Sequence, residues 1–167
     1  GMSYKAALAK VPQGGGKAVI LKPSGRFDRK ALYQSFGKFV NELGGRYITA
    51  VDSGTTLQDM DEVGRVTPYV SGSLSDGLDP SPNTALGVLA GIKAAALHRY
   101  GNSKLKGLTV AIQGVGNVGF HLASLLFKEG ARILVSDIDE HKVKQARTAF
   151  QAESVSPHQF FSAHCNI

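Results

Sequence analysis

The sequence predicts an α/β fold in two parts, because strand-like and helix-like segments alternate along its 167 residues. Residues 17–51 have the pattern of strand, helix and strand, which is a crossover unit of a parallel or mixed sheet. Residues 108–136 repeat this order with two fully apolar strands, as expected for buried parallel strands. Between them, residues 71–82 are rich in Ser, Gly, Asp and Pro and lack periodicity, which indicates a connection between the parts.

The first part begins with a short apolar run at 17–23, bounded by glycines and a proline, which predicts a strand. Asp28 is placed to cap a helix that ends at Gly44. The apolar residues of this helix follow helical spacing: Leu32, Phe36, Phe39, Val40 and Leu43. A second strand is predicted at 46–51.

A long helix opens the second part, with Ser81 predicted as its cap, Pro82 at its first position and Gly101 as its end. Its apolar residues are Leu86, Leu89, Ile92 and Leu97. A strand at 108–113, a glycine turn, a helix ending at Lys128 and a strand at 132–136 complete the pattern. We expect the long helix to bridge the two parts.

Composition favours a folded soluble protein, with 43% hydrophobic and 19% charged residues. No apolar run is long enough to cross a bilayer and no signal peptide is evident, so we expect a cytoplasmic protein without a membrane partner. The single Cys165 excludes an internal disulfide. The basic residues behind the net charge of +6 are spread along the chain, which argues against nucleic acid as a partner. The five histidines lack metal-ligand spacing, and no metal is expected.

A dinucleotide fingerprint, Gly114-Val-Gly116-Asn117-Val118-Gly119, follows the strand at 108–113 and opens the next helix. Its three glycines allow a tight turn, close approach of a pyrophosphate and close packing of helix on strand. Asp137 ends the next strand, where its carboxylate would bind the ribose hydroxyls and repel a 2′-phosphate. Glycines also mark ordinary turns, but the strand, helix and acid are all in register. We therefore predict the first half of a Rossmann-type doubly wound domain that binds NAD rather than NADP.

Three consecutive glycines precede Lys17, and such a sequence is typical either of a close-packed or ligand-lined site or of a flexible surface loop. Taken alone, Lys17 and Lys5 read as ordinary surface lysines. Asp52, followed by Ser53 and Gly54, reads equally well as the start of a turn. Spacing does not decide among these interpretations.

The chain also resembles the glutamate, leucine, phenylalanine and valine dehydrogenase superfamily, and among its branches the leucine dehydrogenases. The likeness extends over nearly the whole chain, in family order and spacing. It is carried by residues 1–5, 14–17, 45–52, 54–56, 59–61, 69–72, 80–84 and 113–119. The resemblance implies NAD-dependent oxidative deamination of a leucine-like apolar L-amino acid to the 2-oxo acid and ammonia, by a homo-oligomer.

The resemblance assigns roles position by position. It implies that Lys17 is the catalytic lysine and Asp52 the catalytic aspartate, and that Lys5 binds the substrate carboxylate. Ser71 stands where leucine dehydrogenases usually have a threonine near the substrate, and Thr84 matches a threonine near the nicotinamide. A lysine that is partly desolvated near other cations loses its proton readily and can activate water, while the aspartate moves protons to and from the substrate nitrogen.

The resemblance implies that the sequence starts inside the substrate domain and stops inside the cofactor domain. We expect residues 1–75 to be part of an α/β substrate domain, 76–105 a connecting loop and hinge helix, and 106–167 part of the NAD-binding domain. A glutamate or phenylalanine dehydrogenase is the alternative within the enzyme class. A catalytically silent NAD-binding fragment is the alternative outside it.

Overall fold

The chain folds into two compact units, Gly1–Asp79 and Pro80–Ile167. The computed structural model describes residues 1–72 and 79–167. Each unit combines helices with a parallel sheet, so the α/β prediction is confirmed. Half of the predicted connection at 71–82, including the predicted boundary at 75, lies outside the described residues, and the three-part division stays a prediction.

A small parallel sheet organises the first unit. Strands β1 (Thr49–Ala50) and β2 (Val70–Ser71) pair with Ala50 opposite Ser71. The helix α3 (Leu57–Gly64) forms the crossover between them. Two further helices precede the sheet in the chain, α1 (Met2–Leu8) and α2 (Arg29–Glu42).

The predicted cap of α2 is confirmed, because the Asp28 carboxylate accepts a hydrogen bond of 3.1 Å from the Ala31 N–H. Helix α2 packs closely on α3: a Cβ added to Gly37 would lie 3.1 Å from the Val63 carbonyl oxygen and would overlap the side chain of Val66, just beyond α3. The buried residues of this unit's core come from both helices and are Tyr33, Met60 and Val63.

The prediction of a strand at 17–23 is wrong, since this segment joins no sheet in the described part of the chain. Ile20 packs against the core of the unit, while Val19 and Leu21 are 84% and 88% exposed. A strand requires a neighbour that accepts its backbone hydrogen bonds, and β1 pairs with β2 instead. The crossover unit therefore spans 49–71 rather than 17–51.

The second unit contains a three-stranded parallel sheet in the order β3-β4-β5. Its elements are α4 (Ser81–Tyr100), β3 (Thr109–Gln113), α5 (Asn117–Lys128), β4 (Arg132–Ser136), α6 (Glu140–Phe150) and β5 (Glu153–Ser154), followed by a short 3-10 helix (Phe160–Ser162). The predicted strands at 108–113 and 132–136 and the helix ending at Lys128 are confirmed to within one residue.

The last residues of the chain return to the free edge of β3. The Asn166 N–H donates to the Thr109 carbonyl, and the Ala111 N–H donates to the Ile167 carbonyl, both at 2.8 Å. Because β4 occupies the opposite edge of β3, the chain changes direction across the sheet at this strand. Such a reversal is the switch point of a doubly wound fold, where ligands bind beyond the carboxyl ends of the strands.

Helix α4 begins one residue earlier than predicted. Ser81 is its first residue and is buried, and Pro80 occupies the cap position without a side-chain cap. Pro80 already has the φ of a helix start, and its carbonyl accepts from the Thr84 N–H, so the helix needs no serine cap. The predicted end is confirmed, with Gly101 in the left-handed conformation at φ 72°.

Small residues of α4 form the face that enters the core of the second unit. Ala85 and Ala96 are fully buried there beside Leu89, while Leu86 and Leu97, two of the apolar positions noted in the sequence, are 52% and 54% exposed. Helices α4 and α5 pack against each other, and alanines permit a closer approach of the two helices than leucines would. Helix α4 thus belongs to the second unit.

Candidate functional site

Lys17 and Asp52 form an ion pair in the first unit, in which Lys17 Nζ donates to Asp52 Oδ2. Asp52 follows the carboxyl end of β1, and Lys17 lies in the segment after the three glycines. The two side chains are 55–61% exposed, so the described residues leave both accessible to solvent. The structure thus joins two residues that are far apart in the chain and that spacing alone leaves unrelated.

A tight turn presents the Asp52 carboxylate. The Asp52 carbonyl accepts from the Thr55 N–H at 3.0 Å, and the Ser53 N–H donates to Asp52 Oδ1 at 2.8 Å. Gly54 has φ 81°, which side-chain-bearing residues rarely adopt. Asp52 therefore begins a turn, as one interpretation of the sequence suggested, and the same turn holds its carboxylate toward Lys17.

Two of the three glycines before Lys17 are close-packed. A Cβ on Gly15 would lie 2.7 Å from Ser3 Oγ, and a Cβ on Gly16 would lie 3.0 Å from the Tyr47 ring. This packing favours a shaped site over a loose surface loop. It also brings the segment that carries Lys17 next to α1, the helix on which Lys5 lies.

Ser71 and Asp52 lie at the same edge of the small sheet. Ser71 ends β2 and pairs in register with Ala50, two residues before Asp52. Carboxyl ends of parallel strands form the edge at which α/β proteins bind ligands. Lys5 and Ser71 are both exposed, and their substrate-binding roles stay predictions.

Arg29 and Asp59 form a second ion pair behind the turn, one that sequence reasoning missed. Arg29 Nε and Nη2 donate to the two carboxylate oxygens of Asp59, both at 2.7 Å. Asp59 is buried and forms a capping box with Thr56 at the start of α3. The spacing of Thr56 and Asp59 in the sequence was a usable sign of this cap.

The environment of Asp59 predicts acid-sensitive stability. Burial would raise the pKa of Asp59, but hydrogen bonds from Arg29 and Thr56 outweigh it and lower the pKa below its usual value. A carboxyl with a lowered folded-state pKa stabilises the fold above its unfolded pKa of about 4 and loses that contribution as the pH falls further.

We therefore expect the free energy of unfolding, measured by denaturant titration, to fall between pH 6 and pH 3. In Asp59→Asn the decrease should be smaller, with Asp137, whose pKa is also lowered, accounting for part of the remainder. An equal stability of the native chain at both pH values would contradict this assignment.

The fingerprint turn of the second unit has the predicted geometry. Gly114 has φ 90°, and its N–H donates to the Ser136 carbonyl at 2.7 Å. A Cβ on Gly119 would overlap the Gly114 carbonyl oxygen, so helix α5 crosses the turn too closely for any side chain. Gly116 precedes α5 and faces open space.

The start of α5 fits a pyrophosphate. Asn117 and Val118 are its first two residues, and no side chain caps the terminus at Gly116. The first N–H groups of a helix have no partner within the helix, and together with the helix dipole they favour an anion. The open space at Gly116 leaves room for the backbone to approach a phosphate.

Asp137 contacts the fingerprint turn directly. Its Oδ2 accepts from the Val115 N–H at 2.8 Å and its Oδ1 from the Asp139 N–H at 2.9 Å. Burial would raise the pKa of Asp137, but these backbone hydrogen bonds outweigh it and the pKa is lowered, which keeps the group ionised. A carboxylate accepts about four hydrogen bonds, so Asp137 retains capacity to accept from a ribose hydroxyl.

A cavity of about 680 Å³ adjoins the fingerprint between α5 and α6. It is lined by fingerprint residues and by the facing sides of the two helices, including Val115, Gly116, Asn117, Phe120, His141 and Lys142. Thr84 lies on the first turn of α4, where its hydroxyl donates to the Pro80 carbonyl. Its predicted place near a nicotinamide stays a prediction.

Two family models match the chain. Residues 1–68 match the dimerisation domain of the Glu/Leu/Phe/Val dehydrogenases, and residues 78–143 match the Glutamate/Leucine/Phenylalanine/Valine dehydrogenase model. The chain belongs to this dehydrogenase family. The resemblance read from the sequence is confirmed.

Similar members of the family span the whole chain. A leucine dehydrogenase of Geobacillus stearothermophilus is 44% identical over 100% of this chain and 46% of its own length. An L-tryptophan dehydrogenase of Nostoc punctiforme is 41% identical over 100% of this chain and 47% of its own length. A crystal structure of the L-tryptophan dehydrogenase from that organism matches with a TM-score of 0.67 and 38% identity, over 99% of this chain and 46% of the other. The chain therefore spans about half the length of the relatives that it matches.

Neither a metal cluster nor a membrane helix is found in residues 1–72 and 79–167. No group of three or more His, Cys, Asp or Glu residues there is placed to hold a metal ion. Within the same residues, no helix is both long and apolar enough to cross a membrane.

Proposed function

We propose that this chain supplies the catalytic residues and the phosphate-binding turn of an NAD-dependent dehydrogenase that oxidatively deaminates a leucine-like apolar L-amino acid. The observation that carries the proposal is the ion pair between Lys17 and Asp52 at the carboxyl edge of the small sheet. Family membership supports the reaction class. The Asp137-anchored fingerprint supports the cofactor.

In the proposed reaction, Lys17 and Asp52 divide the proton transfers. The Lys17 amine activates the water that attacks the imino carbon of the oxidised substrate, and Asp52 passes protons to and from the substrate nitrogen. Their direct contact lets a proton move between them. Both side chains are exposed in the described structure, so substrate and water can reach them.

Lys5 and Ser71 would hold the substrate beside this pair. The Lys5 ammonium would bind the substrate carboxylate, and the Ser71 hydroxyl would contact the substrate from the end of β2. Fixing the carboxylate at one point orients the substrate for reaction, which raises the reaction rate. The products are the 2-oxo acid and ammonia.

Gly114, Gly116, Asn117, Val118 and Gly119 would hold the pyrophosphate of NAD, and Asp137 would bind the adenosine ribose. Bound NAD would supply the acceptor for the hydride that leaves the substrate Cα. Thr84 is proposed to lie near that ring. NAD is proposed over NADP because the ionised Asp137 carboxylate repels a 2′-phosphate.

Asp137→Asn should weaken NADH binding and improve NADPH binding, each by about 10-fold, the scale of a hydrogen bond to a charged group. Fluorescence titration of both cofactors measures the two changes. Asp139→Asn is the matched control, because this neighbouring carboxylate caps α6 and asparagine retains the cap. An unaltered preference in Asp137→Asn would remove Asp137 from cofactor selection.

The preferred amino acid is proposed from the leucine dehydrogenases, which are 41–44% identical to the chain. Tryptophan and valine dehydrogenases are similarly identical to the chain, so tryptophan and valine are also candidate substrates. A glutamate or phenylalanine dehydrogenase and a catalytically silent NAD-binding module are the further alternatives. We also propose a homo-oligomer, supported by the match of residues 1–68 to a dimerisation domain.

A combined experiment tests the proposal. NADH is titrated by fluorescence, and NAD reduction is followed with leucine, valine, phenylalanine, tryptophan and glutamate. Reduction fastest with leucine is the expected result. Cofactor binding without turnover on any amino acid supports the silent module, and absence of both overturns the proposal.

A further inference from the structure

We propose that Arg29 is a positioning residue for Asp52, an inference that deepens the function proposed above. Its guanidinium holds the turn at 52–55 through the Gly54 carbonyl and is itself anchored on the buried Asp59. Arg29 touches neither Lys17 nor Asp52 through any described hydrogen bond, so its effect on them passes through the turn.

The anchor on Asp59 is rigid. Both nitrogens of the Arg29 fork that face Asp59 donate to its carboxylate, and the Asp59 side chain is only 6% exposed. The same carboxylate accepts from the Thr56 N–H at 2.7 Å and from the Thr56 hydroxyl at 2.8 Å. Asp59 is thus fixed to the first turn of α3.

The contact with the turn is a single hydrogen bond. Arg29 Nη2 donates to the Gly54 carbonyl at 3.0 Å. Gly54 is the residue with positive φ between Ser53, whose N–H holds the Asp52 carboxylate, and Thr55, whose N–H holds the Asp52 carbonyl. Tying down Gly54 therefore steadies these two hydrogen bonds, which orient Asp52 together with the two that the Thr55 hydroxyl makes with the Asp52 backbone.

Only an arginine makes all three contacts. The guanidinium also lies over the Tyr33 ring, 5.2 Å from its centre, which holds the fork in plane between Asp59 and Gly54. A lysine retains the positive charge beside Asp59 but has one nitrogen and no fork. Arg29→Lys therefore separates neutralisation of Asp59 from attachment of the turn.

The test compares Arg29→Gln, Arg29→Lys and the control Arg65→Lys. Arg65 pairs with Glu62 at 3.4 Å near the end of α3, which makes it an arginine-to-carboxylate pair away from the turn. Three properties are measured. The melting temperature and the amide hydrogen exchange of Ser53 and Thr55 are measured in the 167-residue chain, and the steady-state kinetics with leucine and NAD, as kcat and KM, in the complete enzyme.

Arg29→Gln should lower both the melting temperature and kcat. In Arg29→Lys the melting temperature should largely recover, while kcat stays about 10-fold low at little-changed KM, less than the ~100-fold loss that a 1 Å misplacement of a catalytic group can cause. The Ser53 and Thr55 amides should exchange about 5-fold faster in Arg29→Lys, since losing one net hydrogen bond costs about 1 kcal/mol. Arg65→Lys should leave all three properties unchanged.

Joint recovery of stability, exchange and kcat in Arg29→Lys would show that Arg29 acts only by neutralising Asp59, and would overturn the inference. The exchange measurement needs no turnover. Inactivity of the native enzyme would therefore refute the proposed function, while protection of the turn amides would still decide the role of Arg29.

Discussion

Lys17→Ala should lower turnover by about 100-fold or more, the scale of lost acid–base catalysis. The substitution removes the amine that contacts Asp52 and that we propose activates water. It leaves Gly15 and Gly16, which pack the segment against Ser3 and Tyr47, unchanged, so the fold should persist. The measurement is kcat for leucine and NAD in the complete enzyme.

Lys22→Ala is the matched control, because Lys22 is an exposed lysine in the same segment. It should turn over at the native rate. Asp52→Asn should behave like Lys17→Ala, with KM affected less than kcat. Near-normal turnover of Lys17→Ala would exclude Lys17 from the mechanism, whatever the family of the chain.

The strands and the helix around the fingerprint of the second unit were predictable because local sequence patterns determine them. Apolar strands, a glycine turn and a following acid have fixed spacing in a nucleotide-binding crossover, and the structure places β3, α5 and β4 within one residue of the prediction. Within this unit, the buried face of helix α4 was not predicted. Of its leucines only Leu89 enters the core, while Ala85 and Ala96, which the sequence analysis did not single out, are fully buried, since close helix packing favours small residues.

The first unit was less predictable because its contacts are long-range. The apolar run at 17–23 has strand-like composition, yet whether it becomes a strand depends on a pairing partner that local sequence does not specify. The short helix α3 was missed although its capping box is visible in Thr56 and Asp59. Short elements produce little periodicity, so the cap was the stronger sign.

The residues of the candidate site also differ in how far the sequence predicts them. Family likeness proposed Lys17 and Asp52, and the fold joins them across 35 positions of the chain. Neither the sequence pattern nor the family likeness indicated a role for Arg29. By its sequence it is an ordinary arginine at the start of a helix, and only the fold places a buried carboxylate and a turn carbonyl within its reach. The contacts of Arg29 with Asp59 and Gly54 therefore depend on the tertiary fold and not on local sequence.

Gly119→Ala should cost the second unit about 3 kcal/mol of unfolding free energy, at the upper end of the usual range for overpacking. The added methyl would overlap the Gly114 carbonyl oxygen, and that turn is fixed by the hydrogen bond from the Gly114 N–H to Ser136. Alanine is favoured over glycine in a helix by about 1 kcal/mol, which offsets only part of this cost. NADH affinity should fall as well, because relief of the overlap moves the phosphate-binding turn.

Two glycine controls separate folding from binding. Gly87→Ala, within α4 and facing open space, should stabilise the chain slightly. Gly116→Ala also meets no atom within 4 Å, so it should fold normally yet bind NADH more weakly, since its methyl occupies the space that we assign to the pyrophosphate. Denaturant titration and NADH fluorescence measure both properties. If Gly119→Ala keeps the native stability and the native NADH affinity, then α5 and the turn are too far apart for the added methyl to overlap the Gly114 carbonyl oxygen.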